Sequence, residues 1–256
     1  MKYLGSVGYS NWDPRISIEL YPQSSNIAAA ASIGFSGDQG IVYGYACNET
    51  RDLLPSSVVK AHAIVSYLAD RQGVGPDGKA QVTPGDNTYV SVHSTPGTDR
   101  QVLEAELKYF AEGDLRVVYF EQGGPQADTG LTGRKLQVDT YGTACSHGGG
   151  ALSGKDCTKM DRTGAYLARA VARWLLKRGG LEWAEVGLAY GFDQRSPLWV
   201  RVRSNEPEED ERLTRMTLSQ WDLSIEAAIE RFSLYRPIYR NTSTFGHFKL
   251  GYPWEI

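Results

Sequence analysis

The chain has 256 residues, of which 41% are hydrophobic, 22% charged and 11% aromatic. This is the make-up of an ordinary folded domain with material for a sizeable core, and it excludes disordered, collagen-like and coiled-coil classes. The 27 Lys and Arg against 30 Asp and Glu leave a net charge of -3, too weak a field to hold nucleic acid or an anionic bilayer, so any polyanion must be met by a local cationic cluster.

Cys47, Cys145 and Cys157 are widely spaced and lack the CxxC pattern of zinc or redox sites, so they read as free thiols of a reducing compartment. The opening MKYLGSVGYSNW has no apolar core like that of a signal peptide, and no stretch approaches the roughly 18 apolar residues of a membrane span. The expectation is a soluble, cytoplasmic protein.

In chain order, Ile16, Ile18 and Leu20 alternate with polar neighbours and predict a first strand over 15–20. The small-residue segment PQSSNIAAAASIGFSGDQG that follows reads as a mobile lid or an ordinary linker. After Pro55, the spacing of Val58, Ala61, His62, Val65 and Leu68 predicts a helix that ends before Gly73 and Gly75. A strand over 88–93, a helix over 99–111 with Leu103, Leu107 and Phe110 on one side, and a strand over 115–121 come next. The glycine-rich stretch 121–162 reads as turns around one strand, Lys135 to Tyr141. Tyr166, Leu167, Ala170, Val171, Trp174 and Leu175 then form the apolar stripe of a helix stopped by Gly179 and Gly180. Strands over 185–192 and 198–203 and a helix over 217–232, with Trp221, Ile225 and Ile229 inward, complete the chain. Strands interleave with helices, and their alternating faces favour antiparallel or mixed sheets over a doubly wound parallel one, so the fold class is α+β.

Chemistry concentrates in the glycine-rich turns. Arg134, Lys135, Lys155 and Lys159 alternate there with Asp128, Asp156 and Asp161. Glycines let backbone N–H groups approach an anion, the cations neutralise phosphate charge, and carboxylates hold Mg2+ against the same oxygens. The same residues read equally well as solvated loop charges. Gly149, four residues, Gly154 and Lys155 imitate a phosphate-binding loop, but Asp156 stands where Ser or Thr is needed and the helix starts too late. His62 falls on a helix stripe, and His93 and His247 lack spacing partners for a metal. His147, inside the glycine turns, suits either phosphate contact and proton transfer or a structural bond.

Three segments, GDQGIVYGYACNET (37–50), DTGLTGRKLQVDTYGTACSHGGGALSGKDCTKMDR (128–162) and RPIYRNTSTFGHF (236–248), resemble methionine adenosyltransferase, also called S-adenosylmethionine synthetase. The resemblance implies three similar α+β domains around a pseudo-threefold axis: a remnant of the first with the lid over 1–35, a central domain over 36–120 and a carboxy-terminal domain over 121–256. It implies formation of S-adenosylmethionine from ATP and L-methionine with Mg2+ and K+, and self-association through flat sheet faces. By the same resemblance, Gln23 and Asp38 orient methionine, with Asp38 facing its ammonium group. Phe120 packs on adenine and Asp128 grips the ribose. Lys79, Arg134, Lys135, Lys155 and Lys159 surround the polyphosphate, and Asp161 is a Mg2+ ligand.

The lid departs from the family in lacking its longer segment with Ser-Pro-Asp. The family's His-Pro-Asp-Lys segment, which supplies a catalytic histidine, a metal-binding aspartate and a phosphate-binding lysine, has no counterpart in these residues. The expectation is therefore the large subunit of a split enzyme, completed by a small partner. A catalytically inert nucleotide-binding or regulatory paralogue is the alternative, and a tripolyphosphatase is a third reading.

Overall fold

The computed structural model describes residues 8–9, 15–22, 24–25, 36–83, 85, 87–111 and 113–256. In chain order the elements are β1 (Gly40–Cys47), α1 (Ser56–Asp70), β2 (Val74–Val82), β3 (Thr88–Ser94), α2 (Arg100–Leu107), β4 (Leu115–Phe120), α3 (Leu136–Asp139), α4 (Met160–Gly179), β5 (Trp183–Tyr190), β6 (Trp199–Ser204), α5 (Asp210–Gln220) and α6 (Ile225–Phe232). They condense into two units, Met1–Tyr21 with Ser56–Leu131, and Pro22–Pro55 with Thr132–Ile256.

In the first unit, β2, β3 and β4 form a sheet in that order, with β2–β3 antiparallel and β3–β4 parallel. A parallel pair needs a crossover, and α2 lies within it. Asp99 starts that helix by accepting from the Val102 amide at 3.1 Å. Val90 and Val92, two residues apart on β3, share one face and bury against Ile64 and Leu68 of α1 and Leu103 and Leu107 of α2. β2 escapes the sequence reading because Gly75, Pro76 and Gly78 read as a turn. The strand tolerates Pro76 because it is an edge strand, and the register shifts between Val74 and Gly78.

In the second unit, β1, β5 and β6 pair antiparallel in that order, and α4 packs on the sheet. The approach is so close at Gly44 that a Cβ there would overlap the backbone of Ala168 and Arg169. The predicted stripe is present, with Tyr166, Leu167, Ala170, Val171 and Leu175 buried, but so is most of the rest of the helix, including Arg162, Arg169 and Arg173. Gly180 ends the helix in the left-handed conformation (φ 64°).

Burying these guanidinium groups requires partners. Arg169 donates to both Glu255 carboxylate oxygens (3.0 and 2.8 Å) and to the carbonyls of Tyr45, Asp52 and Leu53. Arg173 donates to the Asp52 and Glu255 carbonyls and lies 3.0 Å from the Glu255 carboxylate.

Three expectations are corrected. Residues 15–20 form no strand: Ile16, Ile18 and Leu20 are 62%, 75% and 89% exposed, because alternation supplies an amphipathic face but a strand exists only when paired. The strand expected over 135–141 is the single turn α3, closed by Asp139 N to Lys135 O (3.0 Å) and by the Thr140 hydroxyl bonding back to the Leu136 carbonyl (2.9 Å). The helix expected over 217–232 is two, α5 and α6. Ser224 starts the second by accepting from the Ala227 amide (3.2 Å), while Asp222 accepts from the Ser224 amide (2.9 Å). The α+β class with mixed and antiparallel sheets is observed.

Candidate active site

The glycine-rich turns of the second unit converge on the start of α4. Gly133 lies against Ala151 and Gly154 against Thr132, at 3.4 and 3.9 Å from where a Cβ would sit, so the turn bearing Arg134 and Lys135 stacks on the turn bearing Lys155. A Cβ on Gly148 would overlap the Ile41 carbonyl of β1, and one on Gly150 would overlap the Asp161 carboxylate. The absence of side chains there brings backbone against a sheet edge on one side and a carboxylate on the other.

Lys155 pairs with Asp161, their side chains 31% and 15% exposed. Asp161 stands in the first turn of α4, where the helix dipole favours a negative charge. Lys159 is the residue before the helix, and its Nζ is buried with no hydrogen-bond partner among the described residues. Its charge is felt by the nearby Asp156 carboxylate, but a buried ammonium whose hydrogen bonds are unmet is unfavourable, and an incoming acceptor relieves that cost. Burial tends to raise the Asp156 carboxyl, but bonds from the Thr158 hydroxyl and amide, with Lys159 nearby, outweigh it and leave the carboxyl below its ordinary value.

A shallow cleft opens between β1, the residues after α3 and the start of α4, lined among others by Tyr43, Tyr141, Ser146, His147, Gly150 and Asp161. His147 Nδ1 accepts from the Gly149 amide at 2.8 Å, which fixes the neutral tautomer with its proton on Nε2. Desolvation lowers its pKa, with Asp161 acting in the opposite sense. Tyr141 adds a buried hydroxyl that, among the described residues, has no hydrogen-bond partner.

Behind these groups is a network that the sequence reading did not find. Arg162, buried on α4, donates to the Lys155 carbonyl (2.6 Å), the Tyr166 hydroxyl (3.0 Å) and the Ser243 hydroxyl (3.3 Å), and its guanidinium lies 4.2 Å from the centre of the Tyr239 ring. Tyr166 in turn bonds His247 Nδ1 (2.9 Å), whose Nε2 meets the Ser153 hydroxyl (3.1 Å). Burial, with Arg162 nearby, pushes the His247 pKa down to about 4. Arg162 and His247 thus hold the loop 153–155 from beneath. The signal available in sequence was the motif 236–248 itself, which carries both Tyr239 and His247.

The other expected site residues divide between the units. In the second, Arg134 and Lys135 are exposed, with Lys135 Nζ 3.4 Å from the Arg134 carbonyl. Asp38 is exposed and accepts from the Gln39 amide (2.8 Å), and Ser36 beside it is tied by backbone bonds to Asp193 and Gln194. In the first, Lys79 is exposed on β2 opposite Ser91. Phe120 closes β4, and Asp128 is exposed after a turn in which its amide donates to the Gly124 carbonyl (3.1 Å). Gln23 and most of the lid lie outside the described residues. The three cysteines are free and buried. Burial raises the Cys47 thiol to about 11 and the Cys145 thiol further, so neither is a ready nucleophile.

Among the described residues, no cluster of three or more His, Cys, Asp or Glu could cage a metal. Mg2+, however, is commonly held by one or two carboxylates together with substrate phosphates. A single carboxylate such as Asp161 beside a cationic turn fits that mode.

The family model described as "S-adenosylmethionine synthetase, C-terminal domain" matches residues 122–256, and the corresponding central-domain model matches residues 33–95. The chain belongs to the S-adenosylmethionine synthetase family. S-adenosylmethionine synthase 1 of Rhodospirillum rubrum is 38% identical, over 98% of this chain and 75% of the relative. The synthase of Thermus thermophilus is 39% identical, over 86% of this chain and 64% of the relative. The chain thus spans about two-thirds to three-quarters of the length of these S-adenosylmethionine synthetases. An unusual S-adenosylmethionine synthetase from Campylobacter jejuni shares the fold, with a TM-score of 0.85 at 23% identity, covering all of this chain and 79% of that one. No helix among the described residues is long and apolar enough to cross a membrane.

Proposed function

We propose that this chain forms S-adenosylmethionine from ATP and L-methionine, with a second, small polypeptide bearing the His-Pro-Asp-Lys segment completing the site. The observation that carries the reading is the buried Lys159 ammonium, which has no hydrogen-bond partner among the described residues, at the helix start where Lys155 and Asp161 also meet.

In this reaction the neutral methionine sulfur uses a lone pair to form a bond to the ribose C5′. The C5′–oxygen bond breaks, and its electron pair leaves on tripolyphosphate, which water then cleaves to phosphate and diphosphate. Sulfur needs no proton removed, so the protein's task is alignment and stabilisation of a leaving group whose charge grows in the transition state. Among the described residues the Lys159 ammonium makes no carboxylate bond and is buried from solvent, so it is free to favour that developing charge. Lys155 contributes from a loop that Arg162 fixes through its carbonyl. Arg134 and Lys135 approach from the stacked turn. Phe120 and Asp128 take the adenosine end, and Asp38 and Gln23 take methionine.

Mg2+, when bound, neutralises phosphate oxygens, with Asp161 as the carboxylate that would hold it. K+ belongs to the same reading, as does self-association through sheet faces.

The test incubates the purified chain with ATP, methionine, Mg2+ and K+, alone and with a polypeptide carrying the His-Pro-Asp-Lys segment, and measures S-adenosylmethionine. The expected result is little product from the chain alone and turnover from the mixture. Robust turnover by the solitary chain removes the second polypeptide from the reading. Nucleotide binding without product in any pairing replaces the reading with a regulatory, catalytically inert member of the family.

A further inference from the structure

His93 and Phe120 are opposite one another in the parallel register of β3 and β4, and their rings stack with centroids 5.4 Å apart at an interplanar angle of 9°. The imidazole is accommodated by two glycines. A Cβ on Gly75 of β2 would overlap the ring, and one on Gly123 would sit 2.8 Å from Nδ1. Nδ1 is nevertheless buried with no hydrogen-bond partner among the described residues.

A side chain kept only to fill space would carry no polar atom there, since an apolar residue of similar volume avoids the cost of the unmade bond. What the imidazole supplies that Leu or Val cannot is a flat, rigid face against Phe120. The turn that follows is anchored in the same place: the Gly124 amide donates to Asp77 Oδ2 at 2.9 Å, and the Gly124 carbonyl accepts from the Asp128 amide. The aromatic and the carboxylate read above as the adenosine contacts therefore flank one short turn, braced by His93 and Asp77.

We infer that His93 is a positioning residue for nucleotide binding: its ring fixes the plane of Phe120, so that the aromatic meets a purine base at no cost in side-chain ordering. The inference rests on the reading of Phe120 as the base contact. It assigns His93 a role at the base end of ATP and none at the phosphate end.

The test is calorimetric titration of the full chain with Mg2+-ATP and, separately, with Mg2+-tripolyphosphate, together with thermal melting, for His93→Leu, His93→Phe and Phe120→Ala. An aromatic stack that orders a binding ring supports about a 5- to 10-fold change in affinity. His93→Leu is expected to lose that much ATP affinity, with tripolyphosphate affinity and melting temperature not reduced, and His93→Phe is expected to stay within about twofold of the parent for ATP. Unchanged ATP affinity in His93→Leu overturns the inference. So does an equal loss in His93→Leu and His93→Phe, or a joint loss of ATP and tripolyphosphate binding, which marks a merely structural role. If Phe120→Ala binds ATP as well as the parent, the base-contact reading of Phe120 fails, and this inference fails with it.

Discussion

Lys155 and Asp161 are six residues apart, one in the turn before α4 and the other in its first turn, and they form an ion pair that leaves both partly open to solvent. Each neutralises the other in the protein alone. On the proposed reading, a triphosphate entering with Mg2+ would offer both a better partner, phosphate for the ammonium and the metal for the carboxylate.

Because the pair is partly exposed, it contributes at most about 1 kcal/mol to folding, whereas a cation that meets charge formed in the transition state contributes far more. Lys155→Ala is therefore expected to lower S-adenosylmethionine formation by about 10²- to 10³-fold while shifting stability by less than about 1 kcal/mol. Rate assays beside thermal melting check both halves, and an unchanged rate removes Lys155 from the site.

Lys159 should show the opposite balance. Its buried Nζ has no partner among the described residues, so Lys159→Met, close in shape and without the charge, is expected to stabilise the protein by about 1 to 3 kcal/mol while turnover collapses. Chemical denaturation gives the first quantity and product formation the second. A destabilised variant would mean that Lys159 has a partner the protein needs.

His247 makes stability depend on pH. Burial and Arg162 hold its folded pKa at about 4, below the ordinary 6.5 of the imidazole. Between these values the unfolded chain binds more protons than the folded one, so this contribution is complete above about pH 6.5 and is lost as pH falls toward 4. It amounts to up to about 3 kcal/mol at 1.36 kcal/mol per pH unit. His247→Gln, which keeps bonding groups toward Ser153 and Tyr166, is expected to flatten the stability-versus-pH slope between pH 4.5 and 6.5. Parallel slopes in urea titrations of parent and variant would contradict this.

Glu255 is the carboxylate shared by Arg169 and Arg173, and its side chain is completely buried. Removing one partner of such a group leaves the other charges uncompensated, at about 3 to 5 kcal/mol. Glu255→Ala is therefore expected to lower stability by that order in denaturant titrations. A loss below about 1 kcal/mol would mean that the backbone carbonyls of Tyr45, Asp52 and Leu53 hold Arg169 unaided.

What the sequence made legible follows from what its patterns encode. The helical stripe of α4 and the alternation of β3 repeat long enough to outweigh local accidents. β2 stayed hidden because Pro76 and two glycines imitate a turn, and only its edge position makes them tolerable. Leu136 and Val138 alternate as in a strand, yet one backbone turn and the Thr140 back-bond decide for a helix. The break between α5 and α6 has no Gly or Pro, since Ser224 and Asp222 make it through hydrogen bonds while the apolar period runs on. The cationic residues of the glycine-rich turns were legible by type, and their assignment to a site is what the resemblance implies. Arg162 was not, because its role comes from burial beneath the loop of Lys155, and charge alone reads as solvent-facing. His247 lacks a metal-ligand spacing in the sequence, and its partners Ser153 and Tyr166 are distant along the chain.

The most direct measurement is calorimetric titration of the purified chain with inorganic tripolyphosphate in the presence of Mg2+, beside the Lys155→Ala, Lys159→Met double variant. If the turns before α4 hold the leaving group, the parent binds saturably at one site and the double variant loses about 10²-fold or more in affinity, since each charge-assisted bond contributes about 1.5 to 3 kcal/mol. Absence of saturable binding by the parent, or equal affinity in the variant, would contradict it.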